Sequence, residues 1–227
     1  SMPTVTLTTN DPNDENFSLD NQEVTLSAGV AVATVTFVTQ NNTAGPAVNP
    51  ARNQRGWVVT ATDNAFIYAT DVSTHVATWP GPVVKLRLIA PGQTAVEGVN
   101  PNGTGKTGAA TGATAGSAYP LVVHAVDAYW NRNFGAGPQH ASGVGQNVVI
   151  EKNDAYALNF ATGPMSSGLR NFAAFQPRMA QTNLTISAVD ADGVVDLASQ
   201  TVSGITVGAA APSQYQVILP GETPVPG

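Results

Sequence analysis

The sequence has no cysteine, and long apolar runs are also missing. The lack of cysteine excludes disulfides, zinc–thiolate sites and cysteine nucleophiles together. No run approaches the ~18 apolar residues of a membrane-spanning helix, so no membrane insertion is expected. A signal peptide is not recognised, and the opening Ser1-Met2 resembles a cloning scar ahead of an excised fragment.

Charge is scarce as well, because only 11% of the 227 residues are charged, against roughly 25% in an average soluble domain. The chain has 9 basic and 15 acidic residues, which gives a formal net charge of −6. Positive charges this few and this scattered do not suit a phosphate backbone, so no nucleic-acid partner is predicted. The 42% hydrophobic content argues against charge-driven disorder and indicates a chain that buries a core.

Short alternating runs rich in valine, threonine and isoleucine dominate the chain. These runs show a period of two and end at Asp, Asn, Gly or Pro, which is the pattern of β-strands. Several short strands at regular spacing predict an all-β sandwich or barrel. The predicted strands cover 4–8, 32–38, 57–62, 83–89, 121–126, 147–150, 184–189, 202–207 and 215–219.

One stretch, residues 166–180, has a helical alternative. Its apolar residues Leu169, Phe172, Phe175 and Met179 recur at a spacing of three to four residues. Pro177 would lie inside that helix and remove one of its hydrogen bonds. A strand is therefore favoured over a helix here.

The sequence also repeats itself. The Pro-Gly pair at 91–92 returns at 220–221, an offset of 129 residues. Two other matches have offsets of 127 and 143, which indicates loops of different length between matching strands. The matching segments are 88–98 with 218–227, 58–63 with 185–190, and 6–11 with 149–154.

The repeat can be divided in two ways. The preferred division places module 1 at 1–98 and module 2 at 117–227. Strands 83–89 and 215–219 then close the two modules, because both are followed by Pro-Gly-x-Thr. The Gly-, Thr- and Ala-rich stretch 99–116 is a linker in this division.

In the other division, one whole unit covers roughly 84–212, and 99–116 is a long loop between its first two strands. The first unit is then incomplete. Its open edge recruits a strand from elsewhere, such as 215–219 of a neighbouring molecule. The strands to which 83–89 hydrogen-bonds distinguish the two divisions.

Strands that end in Ala-x-Asp, followed by a short turn that ends in Asn, occur in order along the unit, most clearly at 125–131. In such stretches the chain resembles the immunoglobulin-like repeats that very large bacterial surface proteins, such as adhesins, carry in tandem. The resemblance implies two immunoglobulin-like β-sandwich modules in an extracellular or cell-surface protein. The matching stretches are 88–98, 118–131, 148–154, 168–172 and 183–190.

The resemblance also implies a non-catalytic structural or adhesive role. The expected partners are neighbouring repeats of the same polypeptide and a glycan or protein ligand at the surface. A carbohydrate-binding or accessory module of a secreted enzyme is the alternative, and a hydrolase is a third reading. His75, His124 and His140 have no metal-ligand spacing, and no Gly-x-Ser-x-Gly supports a triad, so no catalytic or cofactor-binding residue is predicted.

An acidic cluster between two predicted strands is the candidate metal site. Hard oxygen ligands concentrated on a loop suit calcium, and nearby asparagines and backbone carbonyls would complete the shell. The alternative is a solvated turn, since Asp and Asn hydrogen-bond their own backbone. The candidate ligands are Asp11, Asp14, Glu15 and Asp20, and a weaker set is Asp190, Asp192 and Asp196.

Tyr129 and Trp130 stand between Asp127 and Asn131 at the end of a predicted strand. An exposed aromatic pair would stack on a sugar. The favoured interpretation is a hairpin turn in which Asp and Asn cap backbone amides and Trp130 folds back on the sandwich.

Overall fold

The computed structural model describes residues 3–14, 22–41, 56–134, 146–158, 162–193, 196–212 and 215–224. These ranges contain β-strands and no α-helix, which confirms the all-β prediction and the strand preference across 166–180. They contain no helix long and apolar enough to cross a membrane. The strands are β1 (Thr4–Thr9), β2 (Gln22–Thr25), β3 (Val59–Asp63), β4 (Asp71–Val72), β5 (Lys85–Ile89), β6 (Thr94–Ala95), β7 (Lys106–Thr107), β8 (Ala113–Thr114), β9 (Leu121–Val126), β10 (Asn147–Lys152), β11 (Gly163–Pro164), β12 (Leu169–Phe172), β13 (Gln181–Asp190) and β14 (Gln200–Gly208).

The second half of the chain folds around one apolar core. A five-stranded sheet, β11-β10-β13-β14-β8, and a three-stranded sheet, β12-β9-β5, both contribute to it, as in a β-sandwich. Each fully buried aliphatic side chain contributes about 1.5–3 kcal/mol, so this core is the main source of stability. Its members include Leu86 and Leu88 of β5, Val123 of β9, Val148 and Ile150 of β10, and Ile186 and Ala188 of β13.

A four-stranded sheet, β2-β1-β3-β4, precedes this sandwich and has the same strand order as β11-β10-β13-β14. The register is also the same. Val5 lies opposite Asp63, and Val148 lies opposite Asp190. These pairs differ by the two sequence offsets, 143 and 127, and the agreement continues along all five paired positions.

A tight turn occurs in both halves with the same hydrogen bonds. Ser27 and Val30 exchange two backbone hydrogen bonds, as Ser166 and Leu169 do. The two central residues have positive φ in each turn, 51° and 80° in the first and 48° and 63° in the second. Positive φ at both central positions is the signature of a type I′ turn, which favours Gly at the second of them.

The predicted strand 32–38 is not a strand in the structure. It follows the first of these turns, as β12 follows the second, and β12 is a strand because it pairs with β9. Among the described residues, no strand before β5 takes the place of β9. Residues 32–38 therefore form no ladder, and Val32 is almost fully exposed.

The predicted role of strand 83–89 in closing the first sandwich is wrong. Its residues Lys85–Ile89 form β5, which pairs with β9 along five positions and bridges to Ala198. The division into 1–98 and 117–227 thus separates two neighbours of one sheet. The buried core runs from Val83 to Val207, which matches the unit of roughly 84–212 instead.

The stretch 99–116 is part of this folded unit rather than a linker between modules. β7 pairs with β6, and β8 pairs in parallel with β14 at the edge of the five-stranded sheet. The Tyr119 hydroxyl donates to the Thr111 carbonyl at 2.8 Å. The interpretation of 99–116 as a long loop between the first two strands of a unit therefore agrees with these strand pairs and with the Tyr119 hydrogen bond.

Segment 215–219, expected to close the second sandwich, has no strand partner among the described residues. That expectation is also wrong, because β14 already pairs with β13 on one side and with β8 on the other. No free edge is left for the segment beside β14.

Candidate functional site

Asp11, a predicted calcium ligand, holds two chain segments together through its buried carboxylate. Oδ1 accepts the Asn13 amide at 3.1 Å, and Oδ2 accepts the amides of Val38 and Thr39 at 2.9 and 3.0 Å. Three amides donating to one carboxylate compensate its burial. The carboxylate thus fastens residues 38–39 to the end of β1.

Asp154 accepts backbone amides in the same way in the second half of the chain. Its Oδ1 accepts the Tyr156 amide at 2.9 Å, and its Oδ2 accepts the amides of Arg178 and Met179 at 2.7 and 3.0 Å. Desolvation would raise the pKa of Asp154, but the four amide donors outweigh it and lower that pKa below its usual value. Asp11 and Asp154 are related by the offset of 143 found for β1 and β10, which points to a shared structural role.

The remaining predicted calcium ligands divide between described and undescribed residues. Asp14 is buried and accepts a hydrogen bond from the Thr9 hydroxyl. Glu15 and Asp20 lie outside the described residues. Within the described ranges, no group of three or more His, Cys, Asp or Glu side chains could hold a metal ion. Calcium binding at this loop stays a prediction.

Two residues of the weaker acidic set, Asp190 and Asp192, accept backbone amides, and Asp196 is exposed. Asp190 accepts the amide of Asp192 at 3.3 Å and that of Leu197 at 3.1 Å. The Asp192 carboxylate accepts the Asn147 amide at 2.8 Å. Asp63, the counterpart of Asp190 in the first sheet, likewise accepts three amides, which lower its pKa.

The turn after β9 joins the two halves of the molecule. Asp127 accepts the amides of Tyr129 and Asn131 through Oδ1, both at 2.9 Å, and the Gly81 amide through Oδ2 at 2.8 Å. Asn131 accepts the Gln40 amide through Oδ1 at 3.0 Å and donates to the Val38 carbonyl at 2.8 Å. The turn therefore binds two separate segments of the chain, one at residues 38–40 and one at residue 81.

A second set of contacts lies beside this turn. Asn13 donates to the Thr39 hydroxyl at 2.9 Å and to the Glu97 carbonyl at 3.2 Å. Gln40 donates to the Glu97 carboxylate at 2.9 Å. Gly98 lies against Thr39 so closely that a Cβ would stand 2.0 Å from the Thr39 hydroxyl oxygen. We call this set of residues the junction: Asn13, Val38, Thr39, Gln40, Gly81, Glu97, Gly98, Asp127 and Asn131.

Trp130 is not exposed to a sugar, since only 6% of it is accessible. Its φ is +66°, and the Lys85 ammonium lies 3.7 Å from the ring centroid in a cation–π contact. Gly105 packs on the other part of the ring, where a Cβ would come within 2.3 Å. The interpretation of this turn as structural is confirmed.

The structure also brings together a cationic cluster that the sequence did not reveal. Arg87 is fully buried in β5 and donates to the carbonyls of Val96 and Trp130 at 2.9 and 2.8 Å. Its Nη2 lies 2.8 Å from Nδ1 of His124, the residue opposite it in β9, and Glu97 is 3.8 Å away. The alternation of β5 gave no signal, because both of its faces are buried.

Burial lowers the pKa values of the basic side chains in and beside this cluster. It lowers the pKa of Arg87 to about 10 and that of Lys106 to about 8, and Arg87 adds repulsion to Lys106. Burial, with the charges of Arg87 and Arg132, lowers the pKa of His124 to about 3. His124 is therefore neutral at pH 7 and accepts from Arg87 through Nδ1.

The structure describes two of the three histidines. His124 has its Nδ1 occupied by Arg87, so no carboxylate orients it as in a catalytic triad. His75 is exposed on the first half of the chain. His140 lies outside the described residues.

Comparison with known proteins gives no family. No family model matches the chain, and no curated protein matches it. Among solved structures, the apo structure of β-glucuronidase 3 from Bacteroides uniformis is similar over 90% of this chain, at 12% identity and a TM-score of 0.36. The match covers 21% of that enzyme chain, so the present chain spans about a fifth of its length. A similarity this low supports no assignment of fold family or function.

Proposed function

We propose that the chain is a non-catalytic structural or adhesive repeat segment of a large extracellular bacterial surface protein, with immunoglobulin-like β-sandwich units in tandem. The observation that carries the proposal is the repeated register of β1 with β3 and of β10 with β13. An identical register, a matching type I′ turn and a matching aspartate support two related units in one chain.

The hydrogen bonds of the junction support a structural role. Asp127 and Asn131 bind backbone groups of residues 38, 40 and 81, so this turn of the sandwich is hydrogen-bonded to two segments that come from the first half of the chain. Neighbouring repeats of the same polypeptide are then each other's principal partners. Buried polar groups held in this way specify one arrangement, because an unpaired partner would be costly.

The surface chemistry is compatible with the same role. The sequence has few charged residues, many threonines and no cysteine for a disulfide. In the sandwich, Arg87 and Lys106 donate to backbone carbonyls, and Arg87 also contacts His124.

Surface labelling of intact cells tests the proposal. Antibodies against this segment should bind unpermeabilised cells of the organism that carries the gene, and external protease should remove the signal. A cytoplasmic protein labelled in parallel reports leakage. Labelling that requires permeabilised cells would contradict the extracellular role.

A carbohydrate-binding or accessory module of a secreted enzyme is the second candidate. One observation favours it: Phe66, Ile67 and Tyr68 are exposed together on the loop after β3. Asp63 holds this loop by accepting the amides of Ile67 and Tyr68 at 2.8 and 3.0 Å. Aromatic side chains that are exposed and held in place suit stacking on a sugar ring.

A glycan array decides whether the exposed loop at residues 66–68 binds sugar. Specific binding that is lost in Phe66→Ala with Tyr68→Ala, but retained in Tyr156→Ala on the sandwich, would favour the second candidate. Absence of binding to any polysaccharide would leave the structural role as the better account.

A further inference from the structure

Segment 215–219 carries a row of apolar side chains in water. Tyr215 is 102% exposed, Val217 is 83% exposed and Leu219 is 61% exposed. These are alternate residues, so an extended segment would place all three on one face. A strand face this apolar and this exposed indicates a partner.

The repeat identifies what these residues are built to do. At the offset of 129, Tyr215, Val217 and Leu219 correspond to three residues of the sandwich that are 0%, 0% and 2% exposed: Leu86, Leu88 and Ala90. β4 and β14 share the offset, because Thr60 pairs with Val72 as Ser187 pairs with Thr201. The alignment therefore holds from β4 through the end of β5.

The turn that follows the segment has the hydrogen bonds of the turn that follows β5. Leu219 and Glu222 exchange hydrogen bonds, the amide of Leu219 donating to the Glu222 carboxylate at 2.9 Å. Ala90 and Gln93 make the same pair, with the Ala90 amide donating to the Gln93 side chain at 3.1 Å. The turn that follows β5 is thus formed after residue 219 as well.

The first sheet offers the matching surface. Val5 and Leu7 of β1 are only half-buried, as are Val59 and Ala61 of β3. Their counterparts in the sandwich are buried under the sheet that contains β5: Val148, Ile150, Ile186 and Ala188. Among the described residues, the first sheet has no strand in the place that β5 occupies.

We propose that segment 215–219 of one molecule binds the first sheet of a second molecule, in the position that β5 holds in the sandwich. Tyr215, Val217 and Leu219 would then pack on Val5 and Leu7. The proposal uses the same repeat as the proposed function, but it does not depend on a cell-surface location.

The sandwich also gives the expected hydrogen bonds. The Leu86 amide donates to the Ala198 carbonyl, and the Leu88 amide donates to Gln200 Oε1, both at 2.8 Å. Pairing of β4 with β3 aligns Asp71 with Gln200, and two residues earlier Ala69 corresponds to Ala198. The Tyr215 amide should therefore donate to the Ala69 carbonyl of the second molecule, and the Val217 amide to its Asp71 carboxylate.

Such contacts join different surfaces of two copies. A heterologous interface builds a ring if the rotation between copies closes and an open chain if it does not, so assemblies larger than a dimer are expected. The mass of the assembly should rise continuously with protein concentration.

Sedimentation velocity on the whole chain, from low micromolar to millimolar concentration, tests the proposal. Val217→Lys with Leu219→Lys should weaken association by at least ~10-fold, because lysines replace apolar contacts. Asp71→Ala should weaken it, and Asp71→Gln should retain it, since Gln200 already serves as acceptor in the sandwich. These positions are exposed, so the variants should fold normally, which circular dichroism verifies.

A matched control changes apolar residues elsewhere. Tyr156→Lys with Leu158→Lys alters two exposed side chains of the sandwich and should leave association unchanged. A wild-type chain that stays monomeric at every concentration would overturn the proposal. So would association that survives the Val217 and Leu219 changes. Neither result would bear on surface labelling of cells, so the two proposals can fail separately.

Discussion

Asn131 donates through Nδ2 to the carbonyl oxygen of Val38, which lies 2.8 Å away and 93 positions earlier in the chain. The same side chain accepts the Gln40 amide through Oδ1. One amide side chain thus satisfies a buried acceptor and a buried donor from the first half of the molecule.

Replacing Asn131 with alanine should destabilise the protein. The Gln40 amide and the Val38 carbonyl would both lose their partner, and an unsatisfied buried group costs about 1–3 kcal/mol. Urea unfolding followed by tryptophan fluorescence gives the change in free energy of unfolding. Asn171→Ala, at an exposed position of β12, is the control and should stay within about 0.5 kcal/mol of wild type. Equal effects of the two changes would contradict a role for Asn131 in the junction.

Gly98→Ala should destabilise the junction through a steric clash. The new Cβ would meet the Thr39 hydroxyl oxygen at 2.0 Å, and φ at this position is +71°. Gly204 is the matched control, because its φ is +75° and no atom lies within 4 Å of an added Cβ. Gly204→Ala should cost about 1–2 kcal/mol from backbone strain alone. Thermal melting should show a clearly larger loss for Gly98→Ala, and equal losses would place Thr39 farther away.

Stability should fall in mild acid because of His124. Its pKa is about 3 in the folded chain and 6.5 when unfolded, so the unfolded state binds a proton that the folded state does not. The contribution of His124 is complete above pH 6.5 and is lost as the pH falls toward 3, by about 1.4 kcal/mol per pH unit at most.

Denaturant midpoints measured across this range check the titration. His124→Gln should flatten the pH dependence, whereas His75→Gln, at an exposed position, should leave it as in wild type. A pH dependence that persists unchanged in His124→Gln would assign it to other groups.

The calcium hypothesis makes its own prediction for the loop after β1. A cation that binds Asp11, Asp14, Glu15 and Asp20 only in the folded state raises the melting temperature by mass action. Scans in millimolar calcium and in chelator make the comparison, and Asp14→Asn should remove any shift. Identical curves would leave this loop as a turn held by amide donors.

Much of the architecture could be predicted from local pattern. The all-β class, most strand positions and the two offsets that set the register of β1–β3 and β10–β13 follow from alternation and repeated motifs. Local pattern failed to predict the structure where strand formation depends on a pairing partner. Residues 32–38 alternate as strands do, yet they lack the partner that β9 provides for β12.

The candidate site was harder to predict for the same reason. Asp11 was predicted as a calcium ligand from its place in an acidic loop, and spacing gave no sign that it accepts the amides of Val38 and Thr39, 27 and 28 positions away. Arg87 gave no signal at all, because its partner His124 lies opposite it only after β5 and β9 have paired. Long-range partners of this kind leave no trace in residue spacing.

The constant offset of 129 from β4 through β5 and its turn has a geometric consequence. If consecutive units of the proposed array are joined by connectors of equal length and equal contacts, every unit is carried onto the next by one screw operation. Repeating one screw operation generates a superhelix of fixed pitch. Such an array would project its loops at regular angular intervals around a stiff rod, and its reach would grow in proportion to the number of units.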